Sequence, residues 1–329
     1  MKVVIPVAGI GTRLRPHTHT QPKALVPVAG KPILGHIVDG LIEAGLNDFI
    51  FIIGYLGDKV ESFIKLKYPE IKSTFVIQQP REGIGHAVWS AKDLIKEKDE
   101  VLIVLGDTIL DLNLKDFISQ KNSVLGVKKV DDPRAFGVAE VDEKGFIKSL
   151  TEKPNIPKSN LALVGIYYIK ESKILLNSLE YIIKNNLRTR NEIHLTDGIM
   201  EMIKNGAKIT AYNVNNWFDC GGKDNLLETN AILLKRKTTV THNKFPNTIL
   251  IEPVSIAENA NISNSILGPN VSVGENATIN YSVIRDSIIG SFSEIENAMI
   301  HESIIGSDSS LKGLSQSLNI GDSTEIDFG

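Results

Sequence analysis

The last part of the chain is written as a short-period repeat, which restricts its folding more than any other feature of the sequence. Ser-Ile-Leu/Ile-Gly stands at 265–268, 287–290 and 303–306, and Ser282-Val283-Ile284 follows Ser265 by 17 residues. Gly268 and Gly274 are six apart, and Ile262, Ala277, Ile279, Ile295, Ala298 and Ile300 supply further single apolar positions. Such short aliphatic pairs, cut by Ser, Asn and Gly, cannot form the stripe of an amphipathic helix. They can be buried only by stacking one coil on the next, so several imperfect copies are needed. A parallel β-helix is predicted over 237–329. A β-sandwich or a Ser/Asn-rich linker would not require the agreement between a ~17-residue recurrence and six-residue glycine spacing.

Residues before about 235 read differently. Buried strands are predicted at 2–8, 49–53, 74–77 and 101–105, with helices at 33–44, 58–66 and 87–96 between them. Strand–helix alternation at this spacing implies right-handed crossovers and a mainly parallel sheet covered on both faces. A hairpin at 138–141 and 146–150, a strand at 161–169 and helices near 174–185 and 192–204 complete the reading. The expectation is a doubly wound α/β domain at 1–236, Rossmann-like in its opening, followed by the repeat domain.

Several function classes are excluded by composition. A formal net charge of −3 over 329 residues gives no global basic field for nucleic acid or an anionic membrane. No run of 18 apolar residues suggests a membrane span, and MKVVIPVAGIG lacks the pattern of a signal peptide. Cys220 is the only cysteine, which removes internal disulfides and thiolate metal clusters, and a cytoplasmic location is expected.

The first strand runs directly into Val7-Ala8-Gly9-Ile10-Gly11-Thr12-Arg13-Leu14. Glycines after a strand let successive backbone N–H groups surround a phosphate. A dinucleotide loop would need a third glycine where Leu14 stands and an acidic residue some 20 positions on, yet none occurs between Gly9 and Ile37. A Walker loop would need Gly-Lys-Ser/Thr, whereas Gly30-Lys31 is followed by Pro32 and Gly222-Lys223 by Asp224.

What residues 7–34 do resemble is the opening signature of the sugar-nucleotide pyrophosphorylases, with Gly-Thr-Arg, Pro22-Lys23 and Lys31-Pro32 in register. The loop is one residue shorter than the common AGG-x-G form, as in the bacterial UDP-glucose pyrophosphorylase branch. Asp132-Pro133 with Phe136-Gly137-Val138 is similar instead to the thymidylyltransferases. The segment 78–87 resembles the base-recognition stretch, which implies that Gly83 and Gln78, or alternatively Gln79, read a pyrimidine. Leu105-Gly106-Asp107 is similar to the metal motif, Glu152-Lys153-Pro154 to the sugar-phosphate motif, and Trp217-Phe218-Asp219-Cys220-Gly221 to the segment carrying a second metal aspartate. Gly165-Ile166-Tyr167 and the stretch 191–197 resemble later sugar-pocket segments.

The resemblance implies a sugar-1-phosphate nucleotidylyltransferase using Mg²⁺, with a left-handed β-helix behind it. Ala8, Gly9, Gly11, Thr12, Arg13, Lys23, Gln78 and Gly83 would bind the nucleotide. Gly137, Glu152, Lys153, Gly165 and Tyr167 would bind the sugar phosphate, and Asp107 and Asp219 the metal. Arg13, Lys23 and Asp107 would carry the chemistry, because an in-line displacement at the α-phosphorus mainly needs two polyanions held together and their charge neutralised. The substrates implied are UTP or dTTP and a hexose 1-phosphate, most simply glucose 1-phosphate, with pyrophosphate released. A homo-oligomer is expected. A bifunctional nucleotidylyl/acyltransferase is the first alternative, although His301 is the only histidine in the repeat proper. The second is a catalytically silent regulator, against which Arg13, Lys23, Asp107 and Asp219 all stand.

Overall fold

The computed structural model describes residues 1–236, 245–313 and 325. The chain separates into two compact units, Met1–Pro27 with Lys31–Leu226, and Val28–Gly30 with Leu227–Gly329.

In the first unit the strands are β1 (Lys2–Pro6), β2 (Pro27–Val28, shared with the second unit), β3 (Lys31–Pro32), β4 (Asp48–Ile53), β5 (Lys72–Ile77), β6 (Val101–Val104) and β7 (Thr108–Asp111). They continue with β8 (Ser123–Lys129), β9 (Gly137–Val141), β10 (Ile147–Glu152), β11 (Leu161–Ile169), β12 (Ile209–Asn213) and β13 (Asn216–Asp219). The helices are α1 (Ile33–Glu43), α2 (Gly57–Lys67), α3 (Ile84–Ser90), α4 (Leu114–Ile118), α5 (Ser172–Lys184), α6 (Leu195–Lys204) and α7 (Lys223–Arg236), the last belonging to the second unit from Leu227 on.

Among the described residues nine strands form one sheet, in the order β10-β9-β11-β6-β1-β4-β5, with β8 joining β11 to β12. β1 lies parallel to both β4 and β6, and β4 is parallel to β5. This is the parallel core that strand–helix alternation predicts. Beyond β6 the ladder turns antiparallel through β11, β9 and β10, so the sheet as a whole is mixed. The tight β9–β10 connection explains part of this, since a hairpin can only pair its strands antiparallel.

Both faces of the core are covered. Val4, Ile50, Ile52, Val101 and Ile103 join a cluster with Val88, Leu179 and Ile199 of α3, α5 and α6. Their neighbours Val3, Ile5, Phe49, Phe51 and Leu102 are equally buried, and strand geometry sends them to the opposite face. Two expected helices are shorter in the structure. α3 stops at Ser90 and is followed by a 3₁₀ turn, Lys92–Leu94. α6 starts at Leu195, because Ile193 is held extended by its N–H to Glu82 O and its carbonyl to Gly85 N–H.

The second unit contains three parallel four-stranded sheets, the arrangement of a left-handed parallel β-helix. Ile249 pairs with Ile266, Ile266 with Val283, and Val283 with Met299. Inside, Ile262, Leu267, Ile279, Ile284, Ile295 and Ile300 stack into one core. The polar punctuation has a backbone cause: Asn247, Asn264 and Asn297 all adopt left-handed φ at the corners, which asparagine tolerates better than most residues. Side-chain amides continue the stack as a ladder, Asn247 Nδ2 donating to Asn264 Oδ1 at 3.0 Å and Asn264 Nδ2 to Asn280 Oδ1 at 3.1 Å. Asn230 in α7 is buried and satisfied. Its Oδ1 accepts from Ala29 N–H (2.8 Å) and Ser272 Oγ (2.6 Å), and its Nδ2 donates to Asn270 O (2.9 Å). No helix among the described residues is long and apolar enough to cross a membrane.

Candidate active site

The glycine loop leaves the carboxyl edge of β1, where open α/β sheets place their ligands. Val7 N–H donates to Ile52 O at 2.8 Å and Gly106 N–H to Pro6 O at 3.3 Å, so the loop springs from a fixed edge. Gly11 has φ +71°, and a Cβ there would stand 2.9 Å from Lys23 Cβ. Glycine is required both for the backbone hand and for the close approach of Lys23. Thr18 Oγ1 donates to Gly11 O at 2.8 Å and steadies the turn.

The loop opens onto a cleft of about 470 Å³, lined among others by Ala8, Gly9, Gly11, Thr12, Lys23, Gln78, Gly83 and Asp107. Lys23 Nζ donates to Asp107 Oδ2 at 2.5 Å. Burial opposes ionisation of Asp107, but the Lys23 ammonium, the Thr108 hydroxyl and the Arg13 guanidinium outweigh it and hold the carboxyl below its ordinary range. A carboxylate is therefore kept charged at the edge of the glycine loop.

β7 and β13 form a two-stranded antiparallel ribbon with Asp219 opposite Thr108, and Cys220 N–H donates to Asp107 O at 3.0 Å. This pairing brings Asp219 beside Asp107 despite their separation in sequence. Asn225 Nδ2 donates to Asp219 Oδ2 at 3.2 Å. A Cβ on Gly221 would fall 2.7 Å from Asp219 Oδ1 and 2.8 Å from Arg13 Nη2, so both side chains stand over that glycine. No group of three or more His, Cys, Asp or Glu side chains suited to a metal occurs among the described residues. Two carboxylates, completed by phosphate oxygens of a ligand, fit a hard divalent ion that takes few protein donors.

Gln78, which also lines the cleft, is buried. Its Nε2 donates to Gly83 O at 2.9 Å and lies 3.3 Å from His86 Nδ1. Burial, opposed by Glu82 and assisted by Arg188, holds the His86 imidazole below its ordinary pKa. With Nε2 engaged, the amide offers a ligand its Oε1, which has no hydrogen-bond partner among the described residues. Gly83, at φ +108°, could not carry a side chain, because a Cβ would meet Ile193 O at 2.6 Å. Gln79 lies outside this cleft, on a neighbouring shallow depression with Tyr55 and Ile77.

The sugar-phosphate candidates gather at the end of β10. Glu152 Oε2 accepts from Thr196 Oγ1 at 2.7 Å, and Gly137 backs the same carboxylate, leaving only 3.2 Å between Oε2 and any added Cβ. Lys153 has φ +42°; its N–H donates to Phe136 O (3.0 Å), and its carbonyl accepts from Arg190 Nη2 (2.7 Å). Tyr167 is buried, and burial with the charges of Glu152 and Asp107 pushes its hydroxyl far above the ordinary range. Gly165 has a supporting position: it sits at a break in the β11–β8 register, and its carbonyl holds Leu105 N–H at 2.9 Å.

Arg81, Ile84, Leu105 and Glu192 also line the cleft; all four fall inside motif segments of the sequence, but none is named there as a site residue. Arg81 stands three residues after Gln78, a spacing that could have flagged it. Glu192 lies at the cleft because its neighbour Ile193 is tied to Glu82 and Gly85 by main-chain hydrogen bonds, which no local pattern reveals.

Residues 2–236 match the family model described as nucleotidyl transferase. The chain is 33% identical over 270 residues to the low-salt glycan biosynthesis nucleotidyltransferase Agl11 of Haloferax volcanii, covering 79% of this chain and 74% of that protein. It is 37% identical over 262 residues to the bifunctional protein GlmU of Methanocaldococcus jannaschii, covering 78% of this chain and 60% of GlmU. Its structure matches that of a UDP-glucose pyrophosphorylase complexed with UDP-glucose with a TM-score of 0.61 and 27% identity, covering 72% of this chain and 99% of the other.

Proposed function

This chain belongs to the nucleotidyl transferase family, and from that premise we propose that it joins UTP or dTTP to a hexose 1-phosphate, most simply glucose 1-phosphate, releasing pyrophosphate. The observation that carries this reading is the Lys23–Asp107 pair, set at the glycine loop in the same cleft as Gln78 and Gly83. An oxygen of the sugar phosphate forms a bond to the α-phosphorus as the bond to the β-phosphate oxygen breaks. That oxygen is already anionic, so no general base is needed. Lys23 and Arg13 balance the charge that two polyanions bring together, and the N–H groups of the glycine loop orient the nucleotide phosphates. Asp107 and Asp219 are the residues to hold a divalent ion, proposed as Mg²⁺, which supplies Lewis-acid neutralisation at the transferred phosphate.

The base reading has a direct consequence. Uracil and thymine present an N3–H donor that suits Gln78 Oε1. Purine triphosphates are expected to be poor substrates. UTP and dTTP should both turn over, because a methyl group in an apolar pocket is worth only about 1–3 kcal/mol. Four triphosphates assayed against several hexose 1-phosphates, with pyrophosphate release as readout, test this; efficient use of ATP or GTP would defeat it. At the other end, Lys153→Ala should raise KM for the hexose 1-phosphate far more than KM for the triphosphate. A rise confined to the triphosphate would remove Lys153 from the sugar-phosphate site.

We assign catalysis to 1–236 and assembly of a homo-oligomer to 237–329, in the cytoplasm. A chain ending at Arg236 should keep measurable transfer but lose stability and mass, since Asn230 in α7 loses Ser272 and Asn270. Light scattering beside the pyrophosphate assay checks both halves, and a folded truncation of unchanged oligomeric mass contradicts the assembly role. A bifunctional reading is favoured by the similarity to GlmU, of which this chain spans 60%. Its test is acyl transfer from an acyl-CoA by wild type and by His301→Ala.

A further inference from the structure

Glu152 holds its two carboxylate oxygens in different surroundings. Oε2 is fixed by Thr196 Oγ1 at 2.7 Å. Oε1 stands 3.7 Å from His194 Nδ1 and 3.8 Å from Lys153 Nζ, inside ion-pair range but beyond hydrogen-bond range of both. His194 has only 6% of its side chain exposed, and its Nε2 is buried without a hydrogen-bond partner, 4.0 Å from Glu192 Oε2. His194 is also the N-cap residue of α6, yet its side chain makes no capping bond, so capping does not set the orientation of the ring.

We propose that His194 is a positioning residue for the sugar end of the site: it faces Oε1 with Nδ1–H and fixes the rotation of the Glu152 carboxylate, so that Oε1 receives a hydroxyl group of the sugar. Thr196 Oγ1 holds Oε2 while His194 Nδ1 stands over Oε1 at 3.7 Å, and neither side chain needs to touch the substrate. The segment is itself locked, because Ile193 N–H donates to Glu82 O (2.7 Å) and Gly85 N–H to Ile193 O (2.8 Å). The carboxylate is thereby set by the same strap that holds the base loop. The inference rests on the reading of Glu152 as a sugar-binding residue.

Asparagine and glutamine separate the two imidazole nitrogens. Asn places an N–H donor near the position of Nδ1, and Gln places one near Nε2. The test measures kcat and both KM values for wild type, His194→Leu, His194→Asn, His194→Gln, Glu152→Gln and the double variant Glu152→Gln/His194→Leu, with a melting temperature for each. His194→Leu should raise KM for the hexose 1-phosphate by about tenfold while leaving KM for the triphosphate unchanged. His194→Asn should return it to near wild type, and His194→Gln should behave like His194→Leu. The double variant should be no worse than Glu152→Gln alone, because both changes break one contact. Equal rises in both KM values, failure of Asn to rescue, or additive effects in the double variant each overturn the proposal. If His194→Leu does not fold, the Asn-against-Gln contrast decides alone. An active wild type in which Glu152→Gln leaves the sugar KM untouched removes Glu152 from the sugar site, and the role of His194 falls with it. A wild type that transfers to no hexose 1-phosphate refutes the functional reading, and the variants are not needed to recognise it.

Discussion

Asp107→Asn is expected to lower kcat by roughly 10² or more, with a smaller change in KM for the triphosphate. The asparagine keeps the size of the side chain and its place at the end of β6 but removes the charge on which a divalent ion and Lys23 both depend. EDTA should stop the wild-type reaction and Mg²⁺ should restore it, whereas added metal should rescue the variant weakly. Near-wild-type turnover in Asp107→Asn would remove the two-aspartate assignment. The pair also has a pH signature. Because the folded carboxyl titrates below its value in an unfolded chain, its contribution to stability is complete above about pH 4. That contribution is lost as pH falls through the lower folded value. A fall in activity between pH 7 and 5 would therefore report a different group.

Lys23→Met should cost about 10²–10³ in kcat, the usual weight of one phosphate-facing donor in a water-poor site. Methionine preserves much of the packing of a side chain that is only 14% exposed, so the loss reads charge more than shape. The variant leaves Asp107 without its cationic partner, and the two substitutions should not be additive. The double variant Lys23→Met/Asp107→Asn, measured beside the singles, gives the coupling between them. Fully independent effects would mean that the 2.5 Å contact has no part in the reaction cycle.

Features written in neighbouring residues are legible in the amino-acid sequence. The strand 161–169 is read at both ends, and β1, β4 and β6 agree with their predicted positions to within two residues at either end. β7, β8, β12, β13 and α7 have no counterpart among the predicted elements. β7 and β13 are four residues each and acquire meaning only by pairing with each other. β8 carries Gly126 in its middle, which weakens the apolar run that would announce a strand.

The sequence by itself determined the stacked coils, the glycine loop and the parallel start of the sheet. The coils and the loop repeat or close within some 20 residues, and strand–helix alternation marks the parallel crossovers, so side-chain period and backbone hand suffice to specify them. Tertiary structure alone decided which charges meet. Asp219 reaches Asp107 through the β7–β13 ladder, Gln78 gives its amide nitrogen to Gly83 and keeps only an oxygen for a ligand, and Glu152 is gripped by Thr196 and faced by His194. The physical reason is that the Asp219 and Glu152 contacts are closed by pairings between distant strands and loops, while the Gln78 bond, only five residues long, depends on how its loop folds back. Local spacing carries no information about such partners, and it also cannot say which polar atoms the fold has already used.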